Sequence, residues 1–140
     1  MNSKTLLAAL VGGVAHFLLG WLIYGMALMS YMNSMLTPEG TAVMRAEPII
    51  WGYAVGSLAW AFLLAWLYSR YTAITTFNGG MMAGAVIGAL MALSVDMNMY
   101  AGMNAWTGLN GLFVDLAANA VISGIVGGVI GWMLGRGAGK

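Results

Sequence analysis

The chain contains no cysteine. Disulfides, thiolate nucleophiles, thiolate metal sites and iron–sulfur clusters are therefore excluded. Only 6% of the residues are charged, against roughly 25% in an ordinary soluble domain. One histidine and four acids leave few groups from which an acid–base or metal centre could be built. The net charge of +1 gives no basic surface, so no nucleic-acid partner is expected.

What remains is apolar. Of the 140 residues, 61% are hydrophobic, and they gather in four long stretches: 6–31, 49–69, 79–99 and 109–134. A membrane span needs about 20 mostly apolar residues. The runs are continuous rather than alternating, which favours helices over barrel strands. A helix also satisfies its own backbone polar groups in hydrocarbon. The expected fold is all-α: one domain, residues 1–140, forming an integral membrane four-helix transmembrane bundle. Short links at 70–78 and 100–108 make its sequential helices antiparallel neighbours. The first stretch is too long for a signal-peptide core and is followed by no A-x-A site, so it is expected to be retained.

Lys4, Arg70, Arg136 and Lys140 fall on one side of this arrangement, and Glu39, Arg45 and Glu47 on the other. Basic residues concentrate on the cytoplasmic side, so both termini are expected to be cytoplasmic. Aromatics mark both boundaries. Trp21, Tyr24, Tyr31, Trp51, Tyr53, Tyr100 and Trp106 cluster outside, and Trp66, Tyr68, Tyr71 and Trp132 inside. Trp60 falls mid-span and fits neither belt. In the longest loop, Thr37-Pro38-Glu39 reads as a helix start, with a Thr cap, Pro at the first helical position and an acid near the positive helix end. It predicts a short surface helix over 38–46.

Glycine recurs at four-residue spacing: Gly52 and Gly56; Gly80, Gly84 and Gly88; Gly124 and Gly128; Gly127, Gly131 and Gly135. The first span adds Gly12 and Gly20. Such rows let helix backbones approach closely. They serve packing within the bundle, or association with a second copy or another membrane protein.

Three ionisable groups lie inside the spans: His16, Asp96 and Asp115. Intramembrane ionisable groups are functional candidates. At about 1.5 Å of rise per residue, both aspartates lie roughly 26–28 Å from the inner boundary and His16 roughly 15 Å from it. Asp115, Asn119 and Ser123 form a stripe down the fourth helix, and Ser94 and Asn98 add polar groups to the third. The pattern suggests an outward-opening polar crevice, with Asp96 and Asp115 at its mouth and Asn119, Ser123 and His16 below. Two close carboxyl groups can share a proton or hold a hard cation. Each residue also has a plain structural explanation: the helix dipole for Asp115, snorkelling for Asp96, and one interhelical hydrogen bond for His16.

Methionine is abundant, with 13 copies. Met26, Met29, Met32 and Met35 recur every third residue, and Met97, Met99 and Met103 gather at the outer end of the third span. Thioethers suit Cu(I), though flexible apolar filling accounts for them with fewer assumptions.

The residues 16–39 and the segment FVDLAANAVISGIVGGVIGW at 113–132 resemble small bacterial four-helix membrane proteins, the domain of unknown function seventeen sixty-one. The likeness lies in Gly20-Trp21-Leu22-Ile23-Tyr24-Gly25 and in a last helix that opens on Asp115 and closes on Gly124–Gly131. It covers the first and last helices, and departs from the family at Ile23 and Met26. The resemblance implies a multi-pass bundle in a bacterial inner membrane and carries no assigned activity.

No nucleophile and no cofactor signature stands in the chain, so neither an enzyme nor a cofactor is expected. The leading reading is a membrane protein that binds a small ligand or ion in the polar crevice through Asp96, Asp115, Asn119, His16, Ser123 and Asn98. An accessory subunit of a larger membrane complex and a copper-handling protein are the alternatives.

Overall fold

The computed structural model describes residues 2–136; Lys140, assigned above to the inner side, lies outside them. Four helical segments are long and apolar enough to cross a membrane: Ser3–Ala27, Ile50–Thr72, Phe77–Gly102 and Asn110–Gly135. The first comprises α1 (Ser3–Leu22) and a wide π turn over Ile23–Ala27. The chain breaks at Leu28 and continues as α2 (Met29–Ser34) and α3 (Pro38–Ala42). The second comprises α4 (Ile50–Leu67) and a π turn over Tyr68–Thr72. The long helices α5 (Phe77–Gly102) and α6 (Asn110–Gly135) complete the bundle.

Local chemistry sets several of these boundaries. The Asn2 side chain accepts the Thr5 N–H at 3.0 Å, so α1 begins at Ser3 and Lys4 falls inside its first turn rather than ahead of the span. Thr37 accepts the Gly40 N–H at 3.0 Å, with Pro38 at the first helical position. This helix stops at Ala42, short of the 38–46 anticipated, because Gly40 and Thr41 are weak helix formers. Thr76 caps α5 by accepting the Gly79 N–H at 3.1 Å. At the same end of the bundle as α3, Thr37 N–H donates to the Ala105 carbonyl at 3.0 Å and Thr107 N–H to the Met35 carbonyl at 2.8 Å. These bonds tie the long loop to the α5–α6 link.

The helix α6 sits at the centre, against α5, α1 and α4, while α1 also packs on α4. Its Ile122, Val126 and Ile130 recur at four-residue spacing and meet Ala8, Ala9, Ala61, Leu64 and Ala65 in a fully buried core. The outside of the bundle is apolar instead: Leu7, Leu10, Val14 and Leu18 on α1 and Met82, Val86 and Leu90 on α5 are all exposed. An apolar exterior of this extent is rare on soluble monomers.

The α5–α6 seam is the tightest contact. A Cβ at Gly80 or Gly84 would collide with the backbone carbonyl of Gly127 or Ser123, and one at Gly88 with the Ser123 side chain. From the other side, a Cβ at Gly127 would lie 2.7 Å from the Tyr68 hydroxyl and 3.0 Å from Gly84 Cα. Gly131 and Gly135 abut the carbonyls of Thr76 and Thr75, Gly128 the Phe77 ring, and Gly124 the Ala85 methyl. The glycines of α6 from 124 to 135 thus all find neighbours within the chain. By contrast, nothing lies within 4 Å of a Cβ at Gly20 or Gly56. Tyr68 is only 1% exposed, and its hydroxyl donates to the Gly80 carbonyl at 2.8 Å. It is a clasp between α4 and α5 rather than a member of an aromatic rim.

Replacing Gly84 by Leu must push α5 away from α6. Overpacking of this kind costs about 1–3 kcal/mol. A lowered melting temperature in detergent micelles is expected for Gly84→Leu, with Gly56→Leu close to the parent chain.

Candidate functional site

On the side of the bundle where α5 stands beside the α1–α4 pair, with α6 as the floor, a cleft of about 300 Å³ is lined by His16, Trp60, Met91, Val95, Asp96, Asp115 and Asn119 among others. Four of the residues expected to form a crevice, His16, Asp96, Asp115 and Asn119, therefore converge on one cavity. Ser123 does not line it. It is buried, and its hydroxyl accepts the Trp60 Nε1–H at 3.1 Å. Asn98 stays outside as well. It is exposed and donates to the Ser94 carbonyl of its own helix at 2.7 Å. Two residues along a helix turn it about 200° away from Asp96.

Asp115 is held by a closed set of bonds. The Tyr24 hydroxyl donates to Asp115 Oδ1 at 2.7 Å. One turn along α6, the Asn119 amide nitrogen lies 2.8 Å from Asp115 Oδ2 and 2.9 Å from the Tyr24 hydroxyl oxygen. Tyr24 reaches α6 from the π turn, whose wide geometry shows in the bond from Leu28 N–H to the Ile23 carbonyl at 2.7 Å. Such turns recur at functional positions because they re-aim side chains. Tyr24 is accordingly half-buried against Asp115 rather than set in an outer aromatic rim.

Asp96 presents the opposite case. It comes from α5, across the glycine seam, and lines the same cleft as Asp115. Yet its Oδ2 is buried with no hydrogen-bond partner among the described residues. A buried carboxyl oxygen left unserved costs roughly 1–3 kcal/mol or more, which an ion, a proton or a water relieves.

Deeper in the cleft, His16 Nδ1 lies 3.0 Å from the Ser57 hydroxyl. The ring is tilted against Trp60, with centroids 6.5 Å apart. These contacts join α1 to α4, and Trp60 then joins α4 to α6 through Ser123. One nitrogen of His16 is thus engaged, and the ring still borders the cleft.

Sequence reasoning missed Tyr24, Ser57 and Trp60 as parts of this arrangement. Trp60 had a signal, its mid-span position. Ser57 had one too, a lone hydroxyl in an apolar run. Tyr24 had none, because its place near a span end is what an aromatic belt also produces.

The methionines singled out in the sequence are spread over several elements. Met26 lies in the π turn, whereas Met29 and Met32 follow the break at Leu28, so their spacing no longer defines one helical face. Met97 and Met99 are exposed near the end of α5, and exposed Met103 follows it. Among the described residues no three His, Asp or Glu side chains come together as a metal site.

No protein-family model matches the chain, and no curated protein or solved structure matches it either.

The arrangement joins a firmly held carboxylate to a second one whose Oδ2 has no hydrogen-bond partner among the described residues. Removing the Tyr24 hydroxyl tests its stiffness. A hydrogen bond to a charged group contributes about 1.5–3 kcal/mol, so Tyr24→Phe should lower stability by that order. Combined with Asp115→Asn in a double-mutant cycle, it should show a coupling above about 0.5 kcal/mol, measured by unfolding in micelles.

Proposed function

We propose that the chain is a non-enzymatic, multi-pass membrane protein that binds a small cation or a proton between Asp96 and Asp115. The observation that carries this reading is the buried, unpartnered Asp96 Oδ2 beside an Asp115 carboxylate that Tyr24 and Asn119 already hold. Two carboxyl groups at one site are relieved by a shared proton or a bound cation. Charged side chains inside a bilayer are costly and mark ion or proton paths. Asp115 then acts as the fixed wall, Asp96 as the group that takes up the ion, and His16 as a polar group deeper in the cleft.

Calcium takes about six to eight oxygen ligands. Two carboxylates and an amide suit a proton or a monovalent cation better. The basic residues Lys4, Arg70 and Arg136 support an orientation with this end in the cytoplasm and the carboxyl pair toward the outer leaflet. The resemblance at 20–25 and 113–132 supports a bacterial inner membrane as its place.

A second reading is a structural role beside another membrane protein or a second copy. Gly56 favours it, since among the described residues nothing beyond its own stretch of helix lies within 4 Å of where its Cβ would be. A stoichiometric partner retained through mild-detergent purification would support that role.

The test of the first reading is ion binding by the purified full-length protein in detergent. Calorimetry with sodium and lithium chloride, and proton uptake with a pH indicator, should both detect binding in the parent chain. Asp96→Asn should weaken it by tenfold or more, since it removes the charge of an unpartnered carboxylate while keeping its shape. Identical binding curves for the parent, Asp96→Asn and Asp115→Asn would remove the reading.

A further inference from the structure

At the opposite end of the bundle from the carboxyl pair, between the start of α1 and the end of α4, lies a larger cavity of about 710 Å³. The wall formed by α4 and the π turn that follows it is graded in polarity. Phe62 and Trp66 on α4 and Ser69 and Arg70 on the π turn all line the cavity, in that order from its apolar to its basic end. The Tyr71 ring meets Trp66 edge-on at 5.1 Å. On the α1 side, Asn2 Oδ1 accepts both the N–H and the hydroxyl of Thr5, at 3.0 and 2.8 Å. The carbonyl half of the Asn2 side chain is thus occupied, and its amide NH₂ donates to nothing among the described residues.

Charge at this end is one-sided. Glu39, Glu47, Asp96 and Asp115 all lie toward the far end of the helices, and Lys4 and Arg136 share this end with Arg70. Arg136 lies over the Trp132 ring, 4.1 Å from its centre. Among the described residues Arg70 has no acid near it, and it borders the cavity.

We propose that this cavity binds an anionic phospholipid, its phosphate on Arg70 and the Asn2 amide and one acyl chain along Phe62 and Trp66. The proposal rests on the reading of the bundle as membrane-spanning. A guanidinium forks onto two phosphate oxygens at once. Trp and Tyr rings sit at headgroup level in membrane proteins, which fits the Trp66–Tyr71 pair between the apolar and basic ends. The apolar wall decides between lipid and free anion. Inorganic phosphate has no use for Phe62 and Trp66, whereas a lipid spans the whole gradient. The inner leaflet's anionic surface supplies that lipid where the basic end of the bundle meets it.

Native mass spectrometry of the delipidated full-length protein, titrated with dioleoyl-phosphatidylglycerol, tests the assignment. The parent chain should retain one tightly bound lipid. Arg70→Gln should weaken that binding about tenfold, the scale of losing a charge-assisted contact. Arg70→Lys should fall between them, and Arg136→Gln should match the parent. Equal lipid binding by the parent and Arg70→Gln would overturn the proposal. Inorganic phosphate displacing the lipid at equal concentration would also overturn it, in favour of a free-anion site. Retention of the parent chain in membranes after alkaline carbonate washing separates a failure of this site from a failure of the membrane-spanning reading.

Discussion

The close approach of α5 to α6 is the constraint from which the rest of the molecule follows. Gly80 and Gly84 leave no side chain between that helix and the backbone of Gly127 and Ser123, and Gly88 leaves room there only for the Ser123 side chain. In lipid, burying apolar side chains gains little, so helices hold together by close packing and polar contacts. Removing side chains from the seam maximises both. It also fixes the height of α5 against α6. Gly88 stands at Ser123, and Asp96, about two turns further along, arrives beside Asp115. Glycine register thus brings the two acids to the same level of the bundle.

The other side of α6 is held differently. There Tyr24, Asn119 and Asp115 join α1 to α6, Ser57 and His16 join α1 to α4, and Trp60 and Ser123 join α4 to α6. Each of these bonds puts a polar group of one helix on a polar group of another, which is how such groups are tolerated in an apolar surrounding. Because α5 packs chiefly on α6, a gap remains between it and the α1–α4 pair. That gap is the cleft. Its walls carry the only acids in the long helices, so the same asymmetry that leaves space also leaves charge facing it.

Much of this was legible in the sequence. The four apolar runs and the capping signals at Thr37 and Pro38 point to elements that the structure contains, with ends displaced by one to a few residues. The matching heights of Asp96 and Asp115 follow from helices of known rise, and the structure adds that His16 and Asn119 line the same cleft. What could not be read was azimuth and partner choice. Apolar residues cover both the lipid-like surface and the core, so periodicity does not say which face of a helix turns inward. Tyr24 and Tyr68 illustrate the point. Both stand where boundary aromatics stand, and both turn inward, onto Asp115 and the Gly80 carbonyl. The π turns that place them have no sequence signature. Glycine rows mark faces able to pack, but Gly56 is as much a glycine as Gly84 and meets nothing.

Because the chain lacks cysteine, the seam can be probed directly. A Cβ at Gly124 would lie 3.3 Å from the Ala85 Cβ, near the separation of about 3.5–4.5 Å that a disulfide spans. Ala85→Cys combined with Gly124→Cys, oxidised in native membranes, should give a bridge within one chain, read as a monomer carrying the linked peptide pair after proteolysis. A bridge found only between two chains, or none while both thiols remain reactive, would contradict the packing of α5 on α6 from which the carboxyl pair arises.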